Sequence, residues 1–282
     1  MGIGAFDFDH VCQHLRRETG IVLEAGKEYL VEARMMSLAQ REGLGSIDNL
    51  LVALRAPDST GLQRKLLDAM TTNETLFFRD IEPFELLRKT IVPELIQQRQ
   101  ASRRLSIWCA ASSTGQEPYS LMMMLRDSFP ALEDGWRIDV LATDYSRDVL
   151  EKARAGRYGQ LEVNRGLPAR MLVKYFTKVG TEWQIADSIR SAVRYEEINL
   201  NASWPAIPPC DIVLLRNVMI YFDVEAKRSI LARIRRLLAP DGYLFLGAAE
   251  TTLGLDDAFE RVPAARAGCY RLVGQAVKGR VS

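Results

Sequence analysis

Asp144, Asn199 and the pair Arg216–Asn217 each follow a short apolar run that reads as a β-strand. Glu117 opens a helix pattern behind the turn Ser112-Ser113-Thr114-Gly115, which closes the apolar run 105–111. Polar groups at strand ends line the rim on which open α/β sheets bind ligands. An acid at the end of the second strand, about thirty residues beyond the turn, accepts hydrogen bonds from ribose hydroxyls in such folds. A carboxylate at a helix start, as at Glu117, repels a pyrophosphate and suits a cationic or hydroxyl-bearing ligand. The turn carries neither the lysine-containing phosphate loop nor the GxGxxG dinucleotide fingerprint. Taken singly, each of these residues could be a cap or a loop group, and many strand-to-helix connections resemble this turn. Four such groups on one rim describe a nucleoside-binding cleft.

The elements that would position them follow from hydrophobic periodicity. From residue 104 onward, strands at 105–110, 138–142, 192–198, 212–215 and 243–248 alternate with helices at 117–129, 146–155 and 224–238. Ser146 is the expected cap of the second of these helices. Such alternation implies parallel strands joined by right-handed crossovers, a doubly wound α/β sheet. Segments 259–262 and 269–272 read as a closing hairpin that adds an antiparallel edge. The interval 156–191 is long for one crossover. It reads as a helix at 167–175 followed by strands at 176–179 and 182–189 around Gly180, a small β-insertion at about 176–190.

Residues 5–70 show helical spacing only, with breaks at Gly20, Gly26, Gly43–Gly45 and Ala56-Pro57-Asp58. The expected organisation is an all-α domain over 1–72, a linker and long connecting helix over 73–103, and the α/β domain over 104–282. On the second helix Lys27, Arg34 and Arg41 are seven apart, which makes either a solvated, salt-laced face or a docking stripe for an acidic partner. The linker TTNETLFFRD (71–80) offers Asp80 as a helix cap, but Arg79 beside two aromatics is unusual for a mere connection.

Composition excludes several classes. A net charge of +1 argues against a general nucleic-acid binder. No apolar run approaches the ~20 residues of a membrane span, and the first residues lack the pattern of a signal peptide. The four cysteines, Cys12, Cys109, Cys210 and Cys269, are scattered, which supports neither a zinc site nor a disulfide scaffold and fits a reducing cytoplasm. His10 and His14 are the only histidines. Their spacing of four could hold a metal, but no third ligand is near, and a solvated helix face is the simpler reading. Neither metal nor histidine acid–base chemistry is expected.

Seven segments, MTTNETLFFRD (70–80), WCAASSTGQEPYS (108–120), ATDYS (142–146), AGRYG (155–159), INL (198–200), LRNVMIYF (215–222) and PDGYLFLGAAE (240–250), occur in the order found in one family. In them the chain closely resembles the chemotaxis receptor methyltransferases of CheR type. The resemblance implies a seven-stranded methyltransferase sheet, S-adenosylmethionine as methyl donor, S-adenosylhomocysteine as product, and glutamate side chains of the cytoplasmic region of chemoreceptors as acceptors. By family pattern, Asn73, Thr75, Arg79, Glu117, Asp144, Asn199, Leu200, Arg216 and Asn217 line the cofactor site. Arg79 and Tyr221 lie nearest the transferred methyl. Without the resemblance Tyr221 reads equally as a packed aromatic in VMIYF. The helical domain and the β-insertion are the family's receptor-contacting parts. Two departures stand out. Gln116 replaces a common glutamate, and the loop around Gly180 is short, which argues against tethering to a receptor's C-terminal pentapeptide.

Overall fold

The computed structural model describes residues 3–23, 26–263 and 267–274, and these fall into two compact units. The first runs up to Thr72 and includes Asn199–Ser203 and Tyr221–Ala226; the second comprises Asn73–Ile198, Trp204–Ile220 and the chain from Lys227 onward. Two short segments from the α/β half of the sequence thus cluster with the helical region.

The first unit is built on helices α1 (Ala5–Thr19), α2 (Glu28–Arg41), α3 (Ile47–Leu54) and α4 (Thr60–Met70). Their apolar stripes meet in a core that includes Leu15, Val31, Met35, Leu38 and Leu50, all essentially inaccessible to solvent. Ser46 caps α3 by accepting the Asn49 N–H at 3.2 Å. The late segments join through hydrogen bonds: Asn199 Nδ2 donates to Glu18 O at 2.6 Å and Val22 N–H to Tyr221 O at 2.8 Å. Arg34 does not stand in a stripe of three solvated charges. It is half-buried and donates to Met70 O and to Thr72 Oγ1, so it fastens the end of α4, and burial lowers its pKa. His14 Nδ1 lies 2.9 Å from Arg17 Nη2. An arginine can only donate, so this nitrogen is an acceptor and the imidazole is neutral, in line with the lowering of its pKa by burial. Among the described residues no group of three potential metal ligands occurs, and no helix is long and apolar enough to cross a membrane.

The second unit opens with one continuous helical run, α5 (Ile81–Leu86), a π-turn (Leu87–Ile91) and α6 (Val92–Gln98). There follow β1 (Arg104–Ala110), α7 (Gln116–Ser128), β2 (Arg137–Asp144), α8 (Arg147–Ala155), β3 (Arg157–Gly159), α9 (Gln160–Asn164), α10 (Ala169–Tyr175), β4 (Phe176–Val179), β5 (Glu182–Ile185), α11 (Asp187–Arg190), β6 (Val193–Glu197), β7 (Cys210–Leu215), α12 (Val224–Leu237), β8 (Leu238–Leu246), β9 (Phe259–Arg261) and β10 (Gly268–Leu272). Seven strands form one sheet in the order β6-β2-β1-β7-β8-β10-β9. The first five are mutually parallel, and the β9–β10 hairpin adds the expected antiparallel edge. β7 is buried along its whole length, as a central parallel strand covered on both faces must be.

The β-insertion is a separate three-stranded sheet, β3-β5-β4. Two of its features depart from expectation. Strand β3 comes from the AGRYG segment, where three residues are too few to show a period; Tyr158 is drawn inward, its hydroxyl donating to Thr114 O at 2.7 Å. The strand expected at 182–189 stops at Ile185. Ala186 N–H turns to Tyr175 O at 2.7 Å, and the short helix α11 then buries Ile189. Ser146 makes no side-chain cap at α8.

At the amino ends of the strands Arg99 ties the layers together. Its Nε donates to Asp211 Oδ1 at 2.9 Å, and its Nη atoms hold Asp241 at 2.7 and 2.5 Å. Asp211 Oδ2 also accepts the Ser106 N–H at 2.7 Å. Arg99→Ala strands the buried Asp211 and should lower stability by about 2–4 kcal/mol, less than a fully buried pair would because Arg99 and Asp241 keep some contact with water. The hydrogen bond from Arg99 holds Asp241 below its ordinary pKa. Its contribution is therefore complete above pH ~4 and fades as the pH falls below that value. Denaturant melts of both proteins between pH 7 and pH 3 should show the gap narrowing with acid.

Candidate active site

The turn after β1 is built from unusual backbone. Ala111 (φ 55°), Ser113 (φ 50°) and Gly115 (φ 91°) are all left-handed. At Gly115 a side chain is also excluded by space, because a Cβ would sit 2.6 Å from Tyr195 Oη. The turn feeds α7, whose residues from Gln116 to Leu125 are all buried. The polar groups of its first turn therefore need internal partners. Ser120 Oγ donates to Gln116 O at 2.6 Å and accepts the Phe78 N–H at 2.9 Å. Thr114 Oγ1 donates to Gln116 Oε1 at 2.8 Å.

Asp144 ends β2 beside this turn. Its Oδ2 accepts the Ser113 N–H at 2.8 Å and its Oδ1 the Ser146 N–H at 3.0 Å. Burial raises its pKa, and backbone hydrogen bonds from Ser146, Ser113 and Tyr145 offset part of that rise. A carboxylate offers about four acceptor positions, so three backbone donors leave it room for a further one. Ser113 Oγ donates in turn to Asn73 O at 2.7 Å, which fixes the start of the 73–80 segment.

Arg216, directly after β7, is the hub. Its side chain is 2% exposed, and Nη1 donates to Glu117 Oε1 at 2.6 Å. Nη2 donates to Arg79 O and to Asp80 Oδ2, each at 2.8 Å. Asp80 is thus not a helix cap. It makes no capping bond, has φ 55°, and turns its carboxylate to Arg216. Arg79 is half-buried, with Nη1 donating to Glu74 O at 3.0 Å. Phe77 anchors the same segment, edge-on to Tyr158 (centroids 5.0 Å apart) and Phe176 (5.6 Å).

Of the residues named from the sequence, Asn73, Arg79, Glu117, Asp144 and Arg216 are joined by the turn, α7 and these hydrogen bonds. Asn217 follows Arg216 with φ 59°, and Thr75 lies half-buried between Asn73 and Arg79. Asn199, Leu200 and Tyr221 belong to the other compact unit. There both polar ends of the Asn199 amide are engaged, by Glu18 O and by Asn201 N–H, and Leu200 is buried. Sequence reasoning passed over Asp80, Ser113 and Ser120 as site-forming residues. Ser120 alone carries a local signal, a polar side chain within a turn of the apolar run LMMML.

Carboxylates at Asp144 and Glu117, with a buried hydroxyl at Ser112 that has no partner among the described residues, form an acceptor-rich rim. That donor and acceptor set fits a ligand bearing ribose hydroxyls and positive charge.

Comparison with known proteins agrees. Residues 73–267 match the CheR methyltransferase SAM-binding domain and residues 7–71 the CheR methyltransferase all-alpha domain. A chemotaxis protein methyltransferase of Pseudomonas putida is 40% identical over 93% of this chain and 96% of its own length. One from Pseudomonas aeruginosa is 41% identical over 94% and 97%, and one from Vibrio cholerae 36% over 91% and 93%.

Arg216→Ala leaves the buried Glu117 without its partner, and should cost about 3–5 kcal/mol. Arg216→Lys keeps the charge but cannot reach three acceptors with one ammonium group, so it should fall between Arg216→Ala and wild type. Denaturant midpoints for the three proteins check this order.

Proposed function

Since the chain belongs to the CheR family of S-adenosylmethionine-dependent chemotaxis methyltransferases, we propose that its acceptors are glutamate side chains of chemoreceptors, converted to methyl esters. The observation that carries this reading is a family match extending over both the helical and the sheet region. The receptor's cytoplasmic region is then the partner, and the cytoplasm the working compartment.

S-adenosylmethionine supplies an electrophilic methyl group on a positively charged sulfur. The acceptor needs no general base, because a glutamate carboxylate, with pKa ~4.3, is already ionised at neutral pH. What remains for the chain is placement, which is worth up to ~7–11 kcal/mol when two reactants are well aligned. In this reading Asp144 holds ribose hydroxyls, and Asn73, Thr75, Glu117, Asn199, Leu200, Arg216 and Asn217 complete the cofactor site. Arg79 and Tyr221 act nearest the methyl. The Arg79 guanidinium orients a carboxylate through charge-assisted hydrogen bonds, and the Tyr221 hydroxyl fixes the acceptor. The decisive experiment is incubation with methyl-labelled donor and receptor cytoplasmic fragments. Label released as methanol by mild alkali is expected; alkali-stable label would overturn the ester assignment.

Receptor recognition in this proposal is independent of a C-terminal pentapeptide. Strands β4 and β5 are joined by Gly180–Thr181 alone, which leaves little loop to hold one. Titration with such a peptide should give no saturable signal, and micromolar binding would refute the idea.

The role of Asp144 has a pH signature. A ribose hydroxyl favours the charged carboxylate, so the Asp144 pKa must drop on binding from its burial-raised value in the free protein. Affinity for S-adenosylhomocysteine should therefore be full above the free-protein pKa and decline as the pH falls through it. Asp144→Ala should weaken binding by about 1–3 kcal/mol and remove this pH dependence, both measurable by calorimetry.

A further inference from the structure

We infer that Glu250 is a positioning residue of the cofactor site, acting through Asn217. Neither the strand-end pattern nor the family's cofactor-lining set singles it out. The parallel pairing of β7 and β8 ends at Leu215 and Leu246. Beyond that point the next amides have no ladder partner, and the Glu250 carboxylate replaces one. Its Oε2 accepts the Gly247 N–H at 2.6 Å and the Asn217 N–H at 2.8 Å, and its Oε1 the Ile220 N–H at 3.3 Å. Glu250 is only 7% exposed, so these bonds form away from water and are charge-assisted. One carboxylate thus spans the carboxyl ends of two adjacent strands.

The residue it grips most closely on β7's side is Asn217, held at φ 59°, in the left-handed region that asparagine tolerates better than most L-residues. Gly247 completes the clamp. A Cβ there would lie 2.7 Å from Asn217 Nδ2, 2.8 Å from Asn217 N and 2.8 Å from Glu250 Oε2. The Asn217 side chain therefore rests on bare Gly247 backbone while its amide is bound by Glu250. Loss of the carboxylate frees Asn217, and the hub Arg216 before it, to leave the left-handed turn. This inference rests on Asn217 lining the cofactor site.

The test is S-adenosylhomocysteine binding by calorimetry on the full chain, at a temperature where every variant is folded. Glu250→Gln keeps the shape but has a single carbonyl oxygen, so either the pair of N–H groups at Oε2 or the Ile220 N–H at Oε1 meets an NH₂ group instead of an acceptor. It should raise Kd about tenfold or more. Asn217→Ala should also raise Kd, and in the Glu250→Gln background it should add little, because the turn it needs is already lost. Gly247→Ala keeps the carboxylate, crowds the same contact and should weaken binding likewise; it carries the test if Glu250→Gln does not fold. A Glu250→Gln Kd within twofold of wild type in a folded protein overturns the inference. So do Glu250 and Asn217 effects that multiply, and a Gly247→Ala protein that binds normally. If Asn217→Ala binds as wild type does, it is Asn217's place in the cofactor site that fails, which separates that reading from the role of Glu250.

Discussion

A guanidinium buried to 2% exposure is expensive, and the second unit is arranged around satisfying the one on Arg216. Its two Nη groups take acceptors from far along the chain, Glu117 on α7 and Asp80 and the Arg79 carbonyl in the segment before α5, while its buried Nε has no partner among the described residues. Each partner is constrained in return. Glu117 can be buried because Arg216 neutralises it. Asp80 gives up the capping position and takes φ 55° to reach the same charge. The meeting of β7, α7 and the 73–80 segment is thus enforced by one cation.

The alternation of strands and helices was legible because apolar runs of sheet length and apolar stripes of helical period are local signals. The limits of β4 were read to the residue. What escaped was non-local. Asp80 stands before a helix and has the chemistry of a cap; only Arg216, 136 positions away, explains why it is not one. Strand β3 exists because Tyr158 is anchored at Thr114, and β5 ends early because Ala186 meets Tyr175. Arg34 fits a seven-residue stripe as sequence, yet its partners are at the far end of α4. Asp144 at a strand end and Glu117 at a helix start were visible because a charge beside an apolar run is conspicuous. Ser113 was not, since nothing local separates it from an ordinary turn residue.

The rim is strained in a patterned way. Among the described residues six non-glycine residues have positive φ, and five of them, Phe78, Asp80, Ala111, Ser113 and Asn217, lie in the turns after β1 and β7 and in the 73–80 segment. For Phe78, Ala111 and Ser113 this costs on the order of 1–2 kcal/mol, and less for Asp80 and Asn217, whose side chains suit this region. In three of the five the compensating bond has the same form: a buried side-chain oxygen accepts the N–H of the left-handed residue. Ser120 takes Phe78, Asp144 takes Ser113, and Glu250 takes Asn217. At these three positions the amide of the left-handed residue is met by a side chain, whereas at Arg103 a backbone carbonyl, Arg99 O at 2.7 Å, takes it. The acceptors therefore do two things at once. They stabilise backbone that sheet and helix geometry would reject, and they fix the direction of the polar groups those turns carry. A rim built in this way is preorganised before any ligand arrives, because its side chains are aimed by bonds already made within the protein.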